Sequence, residues 1–381
     1  MTAAAQPAAW DQARRILCVR LDNLGDVVMT TPALAALKAA RPQRQLVLLG
    51  SPAGCAAAAH IPQLDGCISY AAPWIKHDGG SGDAAADLEM VARLREQRFD
   101  AAVIFTVYSQ SALPAALLCR MAGIPLRLAH SRENPYDLLT DWIAETEPAP
   151  RLRHEVRRQL DLVAAVGAVA PDERLSFVVP EADDWRVRRL LHARGVNPAR
   201  PWLLVHPGAT APSRRYPPER FAAALELVHR DLGLPVVFGG SAAEAELVQR
   251  VRGGLGFPSH SLAGELSLGE CAAAIRLAAV LLSNNSGPVH LAAALGTPVV
   301  DLYALTNPQH TPWLVRGRVL YHDVPCRFCL KSICPEGHQL CLRGVSPEQV
   351  ADAVAELLET GKGDRPLPPR PLPAFAMEMR A

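Results

Sequence analysis

Short apolar runs of strand length alternate with stretches of helical spacing along most of the chain. The runs of strand length are residues 16–20, 45–49, 67–70, 101–105, 202–205, 235–238, 277–282 and 299–303. Strands that alternate with helices predict a mostly parallel sheet with helices on both faces. Because the alternation runs once through each half of the chain, the sequence predicts an α/β protein with two Rossmann-like domains.

Breaks in this pattern divide the chain. We predict a disordered leader over residues 1–14, an N-terminal domain over 15–180, a C-terminal domain over 181–360 and a proline-rich, disordered tail over 361–381. Ligands of open α/β sheets bind beyond the carboxyl ends of the strands. We therefore expect parallel sheets that face an interdomain cleft. Segment 73–82, with three glycines, is either a loop over a site or a surface excursion.

Composition narrows the class of protein. A chain of 381 residues with 49% apolar and 20% charged residues has the length and balance of a soluble protein with about two domains. A net charge of +1 gives no reason to expect nucleic acid as a partner. No apolar run approaches the roughly 18 residues that span a bilayer, and the N-terminus lacks the order of a secretory signal. We expect a cytoplasmic protein whose nine cysteines are free thiols.

The stretch 283–294 carries the clearest local chemistry. It follows an apolar run and precedes helical spacing, so it predicts a strand-to-helix turn with Ser286 as the N-cap and Gly287 open to a ligand. Asn285 lies in the same turn. The unpaired amides and the helix dipole of such a turn favour a phosphate, although an ordinary capped turn has the same pattern. His290, one turn further, is expected behind the site rather than in contact with the ligand.

Two more turns in the C-terminal half have similar chemistry. Glycine, hydroxyl groups and guanidinium groups that follow the strand at 202–205 are suited to phosphate oxygens, and a glycine pair follows the strand at 235–238. The candidate residues are Pro207, Gly208, Ala209, Thr210, Ser213, Arg214, Arg215, Gly239 and Gly240. A solvated basic loop is the alternative for the first of these turns.

The first strand of the chain also ends in a polar turn, which contains Asn23, Gly25 and Asp26. A carboxylate at the mouth of such a turn can act as a general base on an acceptor hydroxyl. The alternative is that Asp26 caps the helix that follows and only satisfies its free amides.

Four of the nine cysteines lie within sixteen residues, together with one histidine. Cys326, Cys329, Cys334, His338 and Cys341 could hold a structural zinc through thiolates and imidazole, although the spacing is not that of a paired zinc motif. Free thiols and two disulfides are the alternatives, and a cytoplasmic location disfavours disulfides.

Four ordered segments together resemble glycosyltransferase family 9, the ADP-heptose:lipopolysaccharide heptosyltransferases. The segments are residues 16–34, 206–216, 285–298 and 326–348. The resemblance implies a GT-B fold and an inverting transfer of a heptose from an ADP-activated donor to a lipopolysaccharide inner-core acceptor. An ADP-sugar and a lipid-linked glycan would then be the partners, and no metal would be required for catalysis.

The same resemblance assigns roles to matching residues. Asp26 would deprotonate the acceptor, Arg214 would contact the diphosphate, and Ser286, Gly287 and His290 would belong to the nucleotide-sugar turn. The sequence departs from many members at Asn285, where an aspartate is common. An amide cannot hold a negative charge, so this departure bears on the identity of the donor sugar.

Two other functions fit the same architecture. A sugar-nucleotide epimerase would need no separate acceptor, and a non-catalytic nucleotide-sugar binder would not need Asp26. A lipid-linked acceptor would bring the protein to the cytoplasmic face of the inner membrane as a peripheral contact. Basic residues within 151–158 could meet anionic lipid there, or could form a solvated helix face.

Overall fold

The computed structural model describes residues 7–75, 83–149 and 152–359. The chain forms two compact units: the first runs to Ser176, and the second begins at Phe177. Each unit contains one six-stranded sheet in which every pair of neighbouring strands is parallel. The predicted α/β class with two parallel sheets is therefore confirmed.

The first unit has six strands with the spatial order β3-β2-β1-β4-β5-β6. The strands are β1 Arg15–Arg20, β2 Gln45–Gly50, β3 Gly66–Ser69, β4 Ala101–Ile104, β5 Leu126–Ser131 and β6 Asp141–Ala144. The helices are α1 Pro7–Gln12, α2 Leu24–Ala40, α3 Pro52–Ala58, α4 Ala84–Glu96, α5 Leu113–Met121 and α6 Glu155–Ala164, with a 3₁₀ turn at Tyr136–Leu138. The chain reverses its direction across the sheet between β1 and β4.

The second unit repeats this plan with the order β12-β11-β10-β7-β8-β9. Its strands are β7 Leu203–His206, β8 Val236–Phe238, β9 His260–Ser261, β10 Val280–Asn284, β11 Val299–Leu302 and β12 Gly317–Leu320. Its helices are α7 Glu181–Ala193, α8 Pro218–Leu232, α9 Ala245–Arg252, α10 Leu268–Leu277, α11 Gly287–Leu295, α12 Leu340–Arg343 and α13 Pro347–Glu359, with 3₁₀ turns at Pro212–Arg214 and Ala242–Glu244. The reversal lies between β7 and β10.

Helices cover both faces of each sheet, so the central strands are buried on both sides. In β1, Ile16, Leu17 and Cys18 are all fully buried, as are Val280, Leu281 and Leu282 in β10. Strands of this kind show continuous apolar runs rather than alternation. This is why the central strands were readily identified from the sequence.

Four strands were missed because they lack such runs. The sequences of β5 and β6 contain arginine, histidine, serine and aspartate, whereas β9 has two residues and β12 is half-exposed. The prediction that residues 299–303 form the last strand is wrong, because β12 follows them. The helix expected after the polar turn begins at Leu24, so Gly25 and Asp26 lie in its first turn rather than ahead of it.

The leader predicted over residues 1–14 contains structure. Residues 7–12 form α1, and the fully buried Trp10 donates its indole N–H to Asp141 Oδ2 at 3.0 Å. The Arg44 guanidinium donates to the main-chain oxygens of Trp10 and Ala13, which ties this segment to the first sheet. Residues 1–6, the tail predicted at 361–381 and most of the loop at 73–82 lie outside the described residues.

Not all of the cysteines are free thiols. A disulfide joins Cys55 in α3 to Cys67 in β3, which corrects the expectation of nine free thiols. Cys326, Cys329, Cys334 and Cys341 are free and partly exposed. No helix within the described ranges is long and apolar enough to cross a membrane.

Candidate functional site

The first candidate site lies where β1 ends and α2 begins. Asp26 is the third residue of α2, and its Oδ2 accepts a hydrogen bond from the backbone N–H of Asn23 at 3.2 Å. The capping function considered for Asp26 is therefore present. Its other oxygen, Oδ1, accepts from the Arg20 guanidinium at 3.2 Å, and about 15% of the side chain is exposed. Capping thus leaves Asp26 at the surface of the turn, where it can meet a ligand.

Arg20 organises the carboxylates around this turn. The guanidinium is fully buried at the end of β1 and contacts Asp22 at 3.0 Å, Asp26 at 3.2 Å and Glu155 at 2.8 Å. Burial raises the pKa of Asp22, which the charge of Arg20 opposes and that of Asp26 reinforces. One buried cation thus holds three carboxylates in fixed positions, and it favours the ionised form of each.

A polar cavity adjoins this cluster in the same unit. It has a volume of about 220 Å³, lies beyond the carboxyl ends of β4 and β5, and is lined by residues 108–112, 130–133 and Glu145. Gln110 connects the cavity to the turn, because its side-chain amide donates to Asp22 Oδ1 at 2.7 Å. The cavity and Asp26 therefore share one edge of the first sheet, at the point where the strand order reverses.

The second candidate site lies at the reversal point of the other sheet. The fully buried Asn284, at the end of β10, donates from Nδ2 to the carbonyl of Pro207 at 2.7 Å and accepts at Oδ1 from the N–H of Tyr216 at 2.9 Å. Asn284 thereby joins the turn after β10 to both ends of the loop after β7. Asn284 lies in the predicted turn 283–294 but was not among the candidate site residues, because its two bonds are made to residues 68 and 77 positions away in the sequence.

A carboxylate lies between the turns after β7 and β8. A Cβ built on Gly208 would lie 1.7 Å from Oε1 of Glu244, so any other residue at this position would force the carboxylate to move. Glu244 Oε2 accepts from the N–H of Ser241 at 2.8 Å and lies 3.8 Å from His206 Nε2. Burial lowers the pKa of His206 and so keeps the imidazole neutral at neutral pH. The prediction of Gly208 and of the Gly239–Gly240 turn missed Glu244, although the spacing from Ser241 to Glu244 is that of a capping box.

The loop after β7 divides its polar residues between two uses. Within the described residues, the Arg214 guanidinium has no hydrogen-bond or carboxylate partner, so its charge is available to a ligand. Arg215 instead donates from Nε to the carbonyl of Ala209 at 2.7 Å, and the buried hydroxyl of Ser213 donates to the carbonyl of Lys331 at 2.8 Å. Thr210 is exposed. Arg215 and Ser213, both predicted as ligand contacts, thus support the loop.

The turn before α11 differs in detail from the predicted cap. Ser286 occupies the N-cap position, but its hydroxyl donates to the carbonyl of Asn284 at 3.1 Å instead of capping the helix. The first amides of α11 therefore lack a side-chain cap, and Gly287 is partly exposed beside them. His290 is buried with its ring 6.3 Å from that of His310, which agrees with its expected place behind the turn.

Asn285 is directed into the second unit. Its Nδ2 donates to Asp301 Oδ2 at 2.9 Å and to the carbonyl of His310 at 2.9 Å. Asp301 is fully buried in β11, and its Oδ1 has no hydrogen-bond partner. Burial raises the pKa of Asp301 well above its usual range, although the bond from Asn285 opposes this effect. The side chain of Asn285 therefore links two elements of the unit.

Two sulfur atoms of the cysteine segment make polar contacts within the segment. Cys326 Sγ lies 3.9 Å from His338 Nε2, and Cys334 Sγ accepts from the N–H of Gln339 at 3.4 Å. Among the residues that the structure describes, no three histidine, cysteine or acidic side chains are arranged to hold a metal ion. The zinc predicted at Cys326, Cys329, Cys334, His338 and Cys341 stays a prediction.

Comparisons with known proteins agree on one family. The model of glycosyltransferase family 9 (heptosyltransferase) matches residues 88–340. Lipopolysaccharide heptosyltransferase 2 of Escherichia coli K12 is 27% identical over 362 residues, which cover 90% of this chain and 98% of that protein. The family model begins after the Asp26 turn, but this longer alignment extends over nine-tenths of the chain.

Two solved structures share the fold. The crystal structure of the glycosyl transferase family 9 protein from Veillonella parvula DSM 2008 has a TM-score of 0.74 at 23% identity, and covers 91% of this chain and 98% of its own. The E. coli ADP-heptose lps heptosyltransferase II has a TM-score of 0.71 at 24% identity, with coverages of 91% and 99%. At these identities the likeness establishes the fold alone.

The burial of Asp301 predicts a pH-dependent effect of its replacement. Because the pKa of this carboxyl is higher in the folded than in the unfolded chain, its ionisation destabilises the fold increasingly as the pH rises above the unfolded value of about 4. We expect Asp301→Asn to match the wild type near pH 4 and to melt roughly 2–4 °C higher at pH 8. Thermal denaturation followed by circular dichroism at both pH values measures this. Asp231→Asn, which changes an exposed carboxylate, is the control. A difference that does not change with pH would contradict the prediction.

Proposed function

The chain belongs to glycosyltransferase family 9, and from this we propose that it transfers a heptose from an ADP-activated donor to a lipopolysaccharide inner-core acceptor. It is a glycosyltransferase with the GT-B fold expected of this family. The observation that carries the proposal is the bridge by Asn284, which assembles the turns after β7 and β10 into one site with a free arginine. Family membership favours transfer over the epimerase and binding functions considered above.

We propose that the second unit holds the donor. The Arg214 guanidinium and the N-terminus of α11, where Gly287 carries the first N–H, offer positive charge to the diphosphate; Pro288 has no N–H, and that of Val289 donates to the Ser286 carbonyl at 3.0 Å. The carboxylate of Glu244 would repel a phosphate, so the group that meets it should be a hydroxyl, as on the ribose of the nucleotide. These groups can stabilise the departing diphosphate without a metal ion, so no catalytic cation is proposed.

We propose that the first unit holds the acceptor, with its sugar in the cavity beside Gln110 and its reacting hydroxyl on Asp26. The hydroxyl oxygen attacks the anomeric carbon of the donor and forms the new glycosidic bond. The bond from that carbon to the diphosphate breaks on the opposite face, ADP leaves with the electron pair, and the proton passes to Asp26. The Arg20 guanidinium lies 3.2 Å from Asp26 Oδ1 and favours the carboxylate form that a general base requires.

A lipid-linked acceptor places this reaction at a membrane surface, and we propose that α5 makes the contact. Leu117 and Met121 are 46% and 43% exposed on one side of α5, with the exposed Arg120 beside them. A hydrogen bond of 2.9 Å from Arg120 to the Asp137 carbonyl brings the neighbouring Tyr136, which is 81% exposed, close to this side. Apolar side chains with an adjacent arginine are typical of interfacial contacts.

For this contact we expect Leu117→Asp combined with Met121→Asp to reduce sedimentation with vesicles of phosphatidylglycerol and phosphatidylethanolamine by more than half. The reason is that two carboxylates replace the apolar area that would enter the headgroup region. Val169→Asp, at another exposed apolar position after α6, is the matched control and should sediment like the wild type. Equal sedimentation of all three proteins would refute the contact.

The donor site predicts nucleotide selectivity. We expect calorimetry to show binding of ADP, tighter binding of ADP-heptose, and weaker binding of UDP and GDP. Arg214→Ala should raise the Kd for ADP by about tenfold or more, because a charge-assisted contact to phosphate is lost. Arg230→Ala removes an exposed arginine on α8 and should leave the Kd unchanged. A preference for UDP would overturn the proposed donor.

The acceptor site predicts the effect of Asp26→Asn. The amide oxygen can keep one of the two bonds, from Asn23 or from Arg20, but the amide cannot take up a proton, and the unchanged Kd for ADP reports that the fold persists. We expect kcat to fall by roughly 10²–10⁴-fold while the Kd for ADP stays the same. Asp22→Asn, which removes another partner of Arg20, should lower kcat by less than about tenfold. Near-normal turnover of Asp26→Asn would refute the role as base.

A further inference from the structure

The cysteine segment, residues 326–341, is bonded to the loop that carries Arg214. The side-chain nitrogen of Gln339 lies 3.0 Å from each of three main-chain oxygens of that loop, those of Pro212, Ser213 and Arg215, so its two N–H groups are shared among three acceptors. A fourth and a fifth bond come from Ser213, whose N–H donates to the carbonyl of Ser332 and whose hydroxyl donates to that of Lys331. The side-chain amide of Gln339 is therefore the common partner of three carbonyl groups of the loop.

The backbone of Gln339 adopts a conformation that its side chain does not favour. Its φ is +50°, in the left-handed region, and the same segment contains two more such residues, Phe328 at +62° and Leu330 at +54°. Each of these costs about 1 kcal/mol or more for a residue with a Cβ, so they persist only where the surroundings fix them. Such residues cluster at ligand clamps and switch regions.

Neighbouring groups hold Gln339 in this conformation. Its N–H donates to Cys334 Sγ at 3.4 Å, and its carbonyl accepts from the N–H groups of Leu342 and Arg343 where α12 begins. The ring of His338 accepts at Nδ1 from the N–H of Leu340 at 3.0 Å. The backbone of Gln339 is thus held by the cysteine segment and by α12, and not by the loop to which its side chain is bonded.

We propose that Gln339 is a positioning residue that fixes the loop of Arg214, so that the cysteine segment serves donor binding. This inference rests on the proposed function for the assignment of Arg214 to the diphosphate. The three carbonyl oxygens that face Gln339 all accept hydrogen bonds, so the side-chain group between them must donate hydrogen bonds. The carbonyl bonds fix the 3₁₀ turn at Pro212–Arg214, and this turn sets the direction in which the guanidinium leaves the main chain.

Because the side chain at position 339 must donate hydrogen bonds, the decisive substitution is one that replaces the amide with an acceptor of the same shape. Gln339→Glu keeps the size and shape of the side chain but places a carboxylate among three carbonyl oxygens, so the loop should be released. Gln339→Lys offers three donors on a chain of similar reach and should restore part of the effect. Gln349→Glu is the matched control, because Gln349 uses its oxygen to accept from the N–H of Ser346 and a carboxylate can replace it.

The first measurement is calorimetry of ADP binding to the wild type and these three variants. Initial rates are then measured at varied concentrations of the donor sugar nucleotide and of the acceptor. We expect Gln339→Glu to raise the Kd for ADP and the KM for the donor sugar nucleotide by about tenfold, because the hydrogen bonds that fix the loop are lost. The kcat should fall as well, since Arg214 also stabilises the departing diphosphate, whereas the acceptor KM should stay within about twofold of wild type. Gln339→Lys should recover part of this loss, and Gln349→Glu should match the wild type. An unchanged Kd for ADP in folded Gln339→Glu would overturn the proposal.

A second measurement separates this inference from the proposed function. Trypsin cleaves after arginine, so release of the loop should speed cleavage after Arg214 and Arg215 in Gln339→Glu but not in Gln349→Glu, as mapped by mass spectrometry. If the wild type does not bind ADP but Gln339→Glu is cleaved faster, the assignment of Arg214 to the diphosphate is refuted, whereas the role of Gln339 in fixing the loop is supported. Equal cleavage rates in Gln339→Glu and the wild type would refute the role of Gln339 in fixing the loop. If Gln339→Glu does not fold, Gln339→Ala takes its place in both measurements, and wild-type values for Gln339→Ala would refute the proposal.

Discussion

Parallel strands place all their carboxyl ends at one edge of a sheet, and the candidate sites depend on this constraint. In each unit the chain leaves the central strand toward one side and later returns to the other, so two adjacent strands lead into loops that diverge. In the first unit these strands are β1 and β4, and the bond from Gln110 to Asp22 joins their loops. In the second they are β7 and β10, and Asn284 joins their loops. A polar side chain connects the diverging loops in both cases.

The arginines of the two sites differ in whether a carboxylate compensates their charge. Arg20 is fully buried and paired with three carboxylates, so removal of the guanidinium would leave buried negative charges uncompensated, a change that costs about 3–5 kcal/mol. Arg214 is partly exposed and lacks a carboxylate partner among the described residues. A paired arginine fixes the geometry of a base, whereas an unpaired one keeps its charge for a ligand. The same residue type therefore supports two different steps of the proposed transfer.

The sequence predicted those elements whose signal is local. Apolar runs identified eight strands, β1 to β4, β7, β8, β10 and β11, and glycine-containing turns identified the loops after β1, β7, β8 and β10. Strands β5 and β6 escaped because their polar residues are paired only in the folded unit; Asp141, for example, accepts from Trp10 across 131 positions of sequence. The contacts of Asn284, Glu244 and Gln339 are likewise made between segments far apart in the chain. No spacing rule reports them, which also explains why Ser213 was predicted to bind a ligand rather than the cysteine segment.

The asparagine at position 285 illustrates how a single residue type can mislead when it is considered alone. The family resemblance implies that an aspartate is common at this position, and its absence left the identity of the donor sugar open. In the structure both Nδ2 hydrogen bonds of Asn285 are made within the unit, one of them to Asp301 at 2.9 Å. An aspartate at 285 would place two buried carboxyl groups in contact, which is unfavourable unless one of them is protonated. Residue 285 is therefore determined by its buried neighbour, and its identity does not by itself report which sugar the donor carries.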